Sequence, residues 1–284
     1  MGSYLRKTIR ASSIALGLAL WCAPALAQTG PLKTGVDGTY APHAFPDMQG
    51  GVQGFNVDLA REIGRKLKRE VTIDATQFSG LLPGLAAGSY DFIIAPVTAT
   101  KERAENMLFT EGYINTDYQF VIKRGAPAIT DMAQLKDKTI AVNRGTVYDN
   151  WARGLAEKIG WKIESFGTSA DAAAAVLTGR ADAQINGDTG AAWSAKQNPQ
   201  LELSFVYSTG LVYSVAIRKD NVTMRAQLEN AIECLKQDGT LAKIHEKWLG
   251  YAPKPGSAAV TIFPGTGVPG IPGYDPTPRT PTCG

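Results

Sequence analysis

A carboxylate-binding pattern lies at residues 95–103, where APVTATKER follows the apolar run YDFIIA at 90–95. Thr100 is a residue type that caps the start of a helix, and such a start leaves backbone N–H groups free to bind an anion. Arg103 would lie in the first turn, where its planar guanidinium can make two parallel hydrogen bonds to a carboxylate. This segment predicts a seat for the carboxylate of a small molecule, although a capped helix with a nearby arginine is common in proteins.

Patterns typical of enzymes, metal sites and cofactor sites are absent or incomplete in the sequence. His245-Glu246 lacks the second histidine, three residues on, that completes a zinc-binding motif. Gly265, Gly267 and Gly270 match a dinucleotide-binding spacing, but Pro269 interrupts the match and no strand or helix flanks it. We therefore predict no enzymatic activity, no cofactor and no metal.

The N-terminus has the pattern of a secretory signal peptide. Three basic residues precede an apolar run at 14–21, and the run leads to the small residues Ala25-Leu26-Ala27. The apolar run is shorter than the roughly 20 residues that span a bilayer. We expect residues 1–27 to be removed near Ala27 and the mature protein to be periplasmic, without direct membrane insertion.

The charge of the mature chain excludes binding modes that depend on excess positive charge. The whole chain has 29 Lys and Arg against 26 Asp and Glu, and the three excess cations are Arg6, Lys7 and Arg10 of the signal peptide. The mature chain is therefore formally neutral. Nucleic acids and anionic lipid surfaces attract clustered positive charge, so we predict neither as a partner.

Short β-rich runs alternate with helical patterns from about residue 31 to residue 250, which is typical of α/β folds. Extended segments near 119–124 and 209–217 bracket the middle third. We predict two α/β lobes joined by two crossover strands, with lobe 1 at 28–120 plus 214–250 and lobe 2 at 121–213. Open α/β sheets bind ligands at the carboxyl ends of their strands, so we expect a ligand cleft between the lobes of a monomer.

The tail at 251–284 differs in composition from the rest of the chain. It has 8 of the 16 prolines and 6 of the 30 glycines, which prevents regular helix or a central strand. We expect this tail to be irregular or disordered. Cys234 and Cys283 could form a disulfide that fixes the tail, or could remain two free thiols, and their sequence positions do not decide between these alternatives.

Several ordered motifs make residues 31–250 resemble a known family. They are GVDGTYAPHAF, VQGFNVDLAREIGRKL, FSGLLPGLAAGSYDFIIAPVTATKERAENMLFT, LKDKTIAVNRGT, AVLTGRADAQINGDT and LKQDGTLAKIHEKWLG. The chain resembles the polar amino acid-binding proteins of ATP-binding cassette (ABC) importers, often called solute-binding family 3. This resemblance implies a periplasmic-binding-protein-like fold that closes on a small amino acid and delivers it to the membrane permease of an ABC importer.

The resemblance also implies which residues contact the ligand in lobe 1. Arg103 would bind the ligand carboxylate, and Thr98 would add hydroxyl and backbone contacts. Tyr40 and Phe78 match the aromatic positions on either side of the ligand side chain. Pro96 stands where the family usually has Gly or Ser, so only its carbonyl could accept a hydrogen bond from the ligand ammonium.

In lobe 2, the resemblance implies that Asp188 binds the ligand ammonium. INGDT is one residue longer than the usual pattern there, so Asn186 or Gly187 could take this place instead. The loop formed by Gly145, Thr146 and Val147 would meet the carboxylate as the lobes close. Asp37, from lobe 1, and Asn143 match positions near the end of the ligand side chain, although Asp37 could simply cap a turn.

Two further expectations concern His43 and the alternative functions. His43 follows the proline of GTYAPHAF, and we expect it at the edge of the cleft or on the surface rather than in contact with ligand. A few relatives of this fold are periplasmic dehydratases, which makes an enzyme of that type one alternative. The proline-rich tail motivates the other, a protein that presents its ligand to a receptor or accessory partner.

Overall fold

The structure is a computed structural model that describes Gly2 and residues 30–283. The predicted signal peptide at 1–27 lies outside the described residues apart from Gly2, and its cleavage stays a prediction. Among the helices that are described, none has the length and apolar character needed to cross a membrane.

Regular structure fills residues 32–249. The strands are β1 (Leu32–Asp37), β2 (Phe45–Pro46), β3 (Val52–Gln53), β4 (Val71–Thr76), β5 (Phe92–Thr98), β6 (Met107–Phe109), β7 (Ile114–Lys123), β8 (Thr139–Asn143), β9 (Lys162–Phe166), β10 (Ala183–Gly187) and β11 (Leu201–Arg218). The helices are α1 (Phe55–Leu67), α2 (Phe78–Ala86), α3 (Lys101–Ala104), α4 (Val147–Ile159), α5 (Ser169–Leu177), α6 (Asp188–Gln197), α7 (Val222–Gln237) and α8 (Thr240–Leu249), with a 3₁₀ turn at Met132–Leu135.

Two long antiparallel strands connect two parallel half-sheets. The strand order is β4-β1-β5-β11-β7-β10-β8-β9, with β6 paired to β11. Strands β4, β1 and β5 are parallel, as are β10, β8 and β9. Between them, β11 pairs antiparallel with both β5 and β7. The fold is therefore the predicted α/β arrangement of two lobes joined by two strands; the lobe boundaries given above stay a prediction and define lobe 1 and lobe 2 below.

Each lobe has its own apolar core. In lobe 1, Phe55, Leu59 and Ile63 are fully buried on one face of α1, as their spacing of four residues predicts. In lobe 2, Ile122, Ile140 and other residues of β7, β8 and β10 pack against α4. Burial of each large apolar side chain stabilises the fold by about 1.5–3 kcal/mol. Two separate cores allow the lobes to move as units about the connecting strands.

The C-terminal tail is irregular but packed against lobe 1. Residues 251–283 form no helix or strand beyond an isolated bridge between Thr266 and Asp275. Val268 and Ile271 pack against the apolar cluster under α2 and β5. Cys234 on α7 forms a disulfide with Cys283, with their Cα atoms 5.5 Å apart. Of the alternatives left open by the sequence, the structure has the disulfide and a packed tail rather than free thiols and disorder.

A buried acidic cluster explains why the tail packs where it does. Glu111, Glu229 and Glu233 have carboxylate oxygens within 4.8 Å of one another. Burial raises the pKa of Glu229 and of Glu233 to about 7. Lys236 Nζ lies 2.7 Å from Glu111 Oε1, and Arg279 of the tail lies 2.6 Å from Glu233 Oε2. Lys236 and Arg279 therefore both form ion pairs with the cluster, and Arg279 belongs to the tail.

Backbone groups of the tail complete this cluster. The N–H of Phe263 donates to Glu111 Oε2 at 2.9 Å, and the N–H of Gly267 donates to Glu229 Oε1 at 2.8 Å. Buried carboxylates that lose such donors carry an uncompensated desolvation cost. The tail is thus an integral part of lobe 1.

Cys283→Ser should lower the free energy of unfolding by about 2–4 kcal/mol, because the disulfide closes a sequence separation of 49 residues and limits the entropy of the unfolded chain. Denaturant unfolding in non-reducing buffer measures the difference. In the presence of a reducing agent the parent protein and the variant should be equally stable. Equal stability without the reducing agent would contradict this role of the disulfide.

Candidate functional site

Most of the predicted site residues line one small cavity between the lobes. Asp37, Thr98 and Asn143 are the last residues of β1, β5 and β8, so the cavity lies at the carboxyl ends of the parallel strands. The lining residues are Asp37, Tyr40, Phe78, Pro96, Thr98, Arg103, Asn143, Thr146, Val147, Tyr148 and Tyr213.

Nine of the eleven residues predicted for the site are among those that line the cavity. Gly145 and Asp188 are not. Two lining residues were missed, Tyr148 and Tyr213. Tyr148 directly follows the predicted loop 145–147, and Tyr213 lies in the extended segment predicted to cross between the lobes. Both signals were present in the sequence, but an aromatic residue in either place is equally typical of a core.

Arg103 is the cation of the cavity. The one-turn helix α3 begins after Thr100, whose Oγ1 accepts from the N–H of Arg103 at 3.2 Å. Arg103 Nη1 donates to the carbonyl of Thr98 at 3.1 Å, and its guanidinium lies 5.5 Å from the ring centroid of Phe78. Arg103 Nη2 also donates to the carbonyl of Gly145 in lobe 2 at 3.3 Å. These contacts fix the guanidinium between the two lobes.

The guanidinium of Arg103 is charged and has free hydrogen-bonding capacity. Burial lowers the pKa of Arg103 to about 10, which still leaves the group protonated at neutral pH. In the described part of the chain, the ion pairs do not include Arg103. A cation removed from water is stabilised by an anion held at hydrogen-bonding distance, so this site can bind a carboxylate.

Asp37 places a carboxylate in the same cavity. Its side chain is 1% exposed. Asp37 Oδ1 accepts from Thr39 N at 3.1 Å and from Thr39 Oγ1 at 2.7 Å, so Asp37 does cap a turn. Asp37 Oδ2 accepts from Asn143 Nδ2 at 3.4 Å across the lobe boundary. Burial raises the pKa of Asp37, and the described ion pairs do not include it either.

Aromatic rings with polar ends surround these charges. Tyr40, Tyr148 and Tyr213 are each buried, as is Phe78. Among residues 30–283, Tyr40 Oη and Asn143 Oδ1 are buried with no hydrogen-bond partner. An unpaired buried polar atom costs about 1–3 kcal/mol. The cavity therefore suits a polar ligand that supplies the missing partners.

Asp188 lies beside this cavity rather than on its wall. It is the first residue of α6 and lines a neighbouring cavity with Trp193, Trp248 and Tyr251. Burial raises the pKa of Asp188 to about 6, and its Oδ1 accepts from Asp117 N at the long distance of 3.5 Å. A role for Asp188 in binding the ligand ammonium stays a prediction.

Asn186 and Gly187, the two alternatives to Asp188, make other contacts. Asn186 Nδ2 donates to Ser169 Oγ at 3.0 Å, and Asn186 Oδ1 accepts from Gly187 N at 2.9 Å. A Cβ atom on Gly187 would overlap the hydroxyl of Tyr213 and would lie 2.8 Å from the hydroxyl of Tyr40. Since both tyrosines also line the cavity, they stand between it and the start of α6.

His43 is fully buried, so the expectation of a surface or cleft-edge histidine was wrong. Its ring packs against Tyr40, Phe55 and Tyr213. The sequence could not reveal this burial because Thr189, which contacts the ring, comes from the other lobe, 146 residues away. His43 does not line the cavity.

Gly187→Ala should destabilise the contact between the lobes by about 1–3 kcal/mol, because the new methyl group would overlap the hydroxyl of Tyr213. Tyr213→Phe removes that hydroxyl and leaves ring atom Cζ at 3.3 Å, so the double variant should regain part of the loss, with the Tyr40 hydroxyl still at 2.8 Å. Thermal unfolding measures the stability, and small-angle scattering measures the separation of the lobes.

Gly154→Ala is the matched control for this pair, since a Cβ atom at Gly154 in α4 meets nothing within 4 Å. It should stabilise the protein by up to about 1 kcal/mol through helix propensity. A Gly187→Ala variant as stable as the parent would show that the two lobes are not in close contact at this point.

The family model for bacterial extracellular solute-binding proteins, family 3, matches residues 32–251. An L-arginine-binding protein of Pseudomonas aeruginosa is 27% identical over 248 residues, covering 84% of this chain and 95% of that protein. A lysine/arginine/ornithine-binding periplasmic protein of Escherichia coli is 26% identical over 255 residues, covering 87% of this chain and 98% of that protein. These relatives are named as binding proteins and not as enzymes.

The structure is similar to that of an ancestral arginine-binding protein bound to arginine. The TM-score is 0.74 at 32% sequence identity, and the similarity covers 77% of this chain and 98% of the other. The two-lobed fold, the interlobe cavity and the family match over residues 32–251 lead to one conclusion. This chain belongs to the bacterial extracellular solute-binding proteins, family 3.

Proposed function

We propose that this solute-binding protein captures a small amino acid with a positively charged side chain by closing its two lobes on it. One observation carries the proposal. Arg103 and Asp37 line the same small cavity, and neither has an oppositely charged partner among the described residues. A ligand with a carboxylate at one end and a cation at the other would pair both charges.

Every α-amino acid has an α-ammonium group. If other groups bind that ammonium, Asp37 is left to bind a positive charge on the ligand side chain. We propose that the carbonyl of Pro96 meets the α-ammonium and that Asp188, set behind Tyr40 and Tyr213, adds negative charge nearby without direct contact, which leaves Asp37 for the side chain. Pro96 lines the cavity and has no N–H, so only its carbonyl can serve. The names of the relatives, which refer to arginine, lysine and ornithine, support a cationic side chain.

Closure is part of the proposed mechanism because groups from both lobes meet at the cavity. The hydrogen bonds from Arg103 to Gly145 and from Asn143 to Asp37 both cross the lobe boundary. A ligand that touches both lobes binds the closed form more tightly than the open one and so shifts the population towards closure. Phe78 and Tyr40 on lobe 1 would hold the aliphatic part of its side chain, and loop 145–147 would cover its carboxylate.

Delivery to the membrane permease of an ABC importer completes the proposed function. We propose that the protein reaches the periplasm by means of the signal peptide at 1–27 and acts as a monomer. Support for the compartment comes from the E. coli relative, which is named as periplasmic.

Arg103→Ala should weaken the binding of L-arginine by at least 100-fold, since the ligand carboxylate would be buried without its cation. In the parent protein, ligand at 100 times its dissociation constant should add about 2.7 kcal/mol of stability, and this thermal shift should disappear in the variant. Arg61→Ala is the control, because Arg61 is exposed on α1 and should leave the shift unchanged. An undiminished shift in Arg103→Ala would place the carboxylate site elsewhere.

Asp37→Asn should reduce the preference for L-arginine over L-citrulline at least tenfold, because citrulline has nearly the same shape without the side-chain charge. Calorimetric titration of both ligands into the parent and the variant gives this ratio. If Asp37 instead met the α-ammonium, both ligands would lose the same factor. An unchanged ratio would therefore contradict the assignment of Asp37 to the side chain.

A further inference from the structure

His43 is a buried side chain that hydrogen-bonds to both lobes. Its Nδ1 lies 2.8 Å from Asn56 Oδ1, and Asn56 belongs to helix α1 of lobe 1. Its Nε2 lies 2.8 Å from Thr189 Oγ1, and Thr189 belongs to helix α6 of lobe 2. One imidazole ring therefore joins the body of one lobe to the first turn of a helix in the other.

The neighbours of Asn56 determine which ring nitrogen of His43 carries the proton. Asn56 Nδ2 donates to the carbonyl of Ile94 and to Tyr113 Oη, so its oxygen faces the ring and can only accept. Nδ1 of His43 must then be the N–H donor, and Nε2 accepts from the hydroxyl of Thr189. The neutral ring satisfies both partners.

The same ring supports the aromatic wall of the ligand cavity. Tyr40 stacks on His43 with ring centroids 5.1 Å apart, and Tyr213 meets it edge-on at 5.6 Å. Both tyrosines line the cavity. The position of His43 therefore sets the position of two side chains that would contact the ligand.

We propose that His43 is a positioning residue whose neutral imidazole latches the closed lobes together, so that protonation of the ring opposes closure and ligand capture. This inference rests on the proposed function, because it takes closure on a ligand as the event that forms the latch. When the lobes separate, Thr189 moves away with lobe 2 and Nε2 becomes accessible to water.

The direction of the pH effect follows from the environment of the ring. Burial lowers the pKa of His43 to about 4 in this closed arrangement, and exposure to water should return it towards 6.5. The closed form then binds fewer protons than the open form. Ligand affinity should fall as the pH drops below 6.5, by up to about tenfold per pH unit and by roughly 150-fold at pH 4.

Other titratable groups near the ring must be separated from this effect. Tyr40, Tyr113 and Tyr213 have pKa values raised by burial and remain neutral throughout this range. Asp188, next to Thr189 in the chain, has a pKa raised to about 6, and Asp37 lines the same cavity with a raised pKa. A comparison of variants isolates the contribution of His43.

Histidine side-chain NMR tests the latch directly, because His43 and His245 are the chain's two histidines. With saturating L-arginine, His43 should titrate below about pH 4.5, and without ligand its pKa should move towards 6.5. His245 Nδ1 hydrogen-bonds to the carbonyl of Tyr251, and among residues 30–283 its side chain has no hydrogen bond to lobe 2, so its pKa should not depend on ligand. A His43 pKa that L-arginine leaves unchanged would overturn the proposal.

A matched pair of variants tests the bond to lobe 2. Thr189→Val keeps the shape but removes the hydroxyl, so L-arginine should bind roughly 5- to 150-fold more weakly at pH 7.5, as expected for an unpaired buried nitrogen. Thr189→Ser keeps the hydroxyl and should bind within about threefold of the parent.

His43→Gln should flatten the loss of affinity between pH 7.5 and pH 4.5. Equal affinity of Thr189→Val and the parent, or equal pH profiles of His43→Gln and the parent, would overturn the proposal.

Failure of the proposed function would give a different result, namely no binding of L-arginine by the parent protein at pH 7.5. In that case the radius of gyration tests the latch separately, because the hydrogen bond between His43 and Thr189 should also favour the closed form of the free protein. Thr189→Val should be more open than both the parent and Thr189→Ser in small-angle scattering, and equal radii for the three proteins would overturn it.

Discussion

Two opposite charges line one small cavity between the lobes, and the proposed function depends on a ligand that pairs with both. The guanidinium of the half-buried Arg103 and the buried carboxylate of Asp37 meet no opposite charge among the described residues. Each is held by neutral hydrogen bonds that fix its direction. Desolvated charges favour a partner of opposite sign, so the cavity selects for a dipolar solute before its shape is considered.

Much of this site could be predicted from the sequence, because strand ends and capping patterns are local features. Asp37 ends a β-rich run of the sequence, Thr98 and Asn143 follow shortly after such runs, and parallel strands bring these ends to one edge of a sheet. The fold followed from the alternation of strands and helices together with the two extended segments that bracket the middle third. The roles of the individual residues came from the family motifs, since spacing alone cannot separate a ligand-binding tyrosine from a core tyrosine.

What the sequence could not predict depends on contacts between distant segments. His43 was expected near the surface, but helix α6 of the other lobe covers it. The place of Asp188 depends on the ring of Tyr213, which occupies the space beside Gly187 and comes from the strand between the lobes. The composition of the tail predicted its lack of regular structure, whereas its packing depends on Glu111, a partner 152 residues away from Phe263 in the chain. Local propensities contain no information on such pairings.

The disulfide between Cys234 and Cys283 involves the last residue but one of the chain. Disulfides form in oxidising compartments outside the cytoplasm. The bond links helix α7 of lobe 1 to the tail, so it holds the tail against the acidic cluster that the tail completes. Material produced in a reducing cytosol would lack this covalent link.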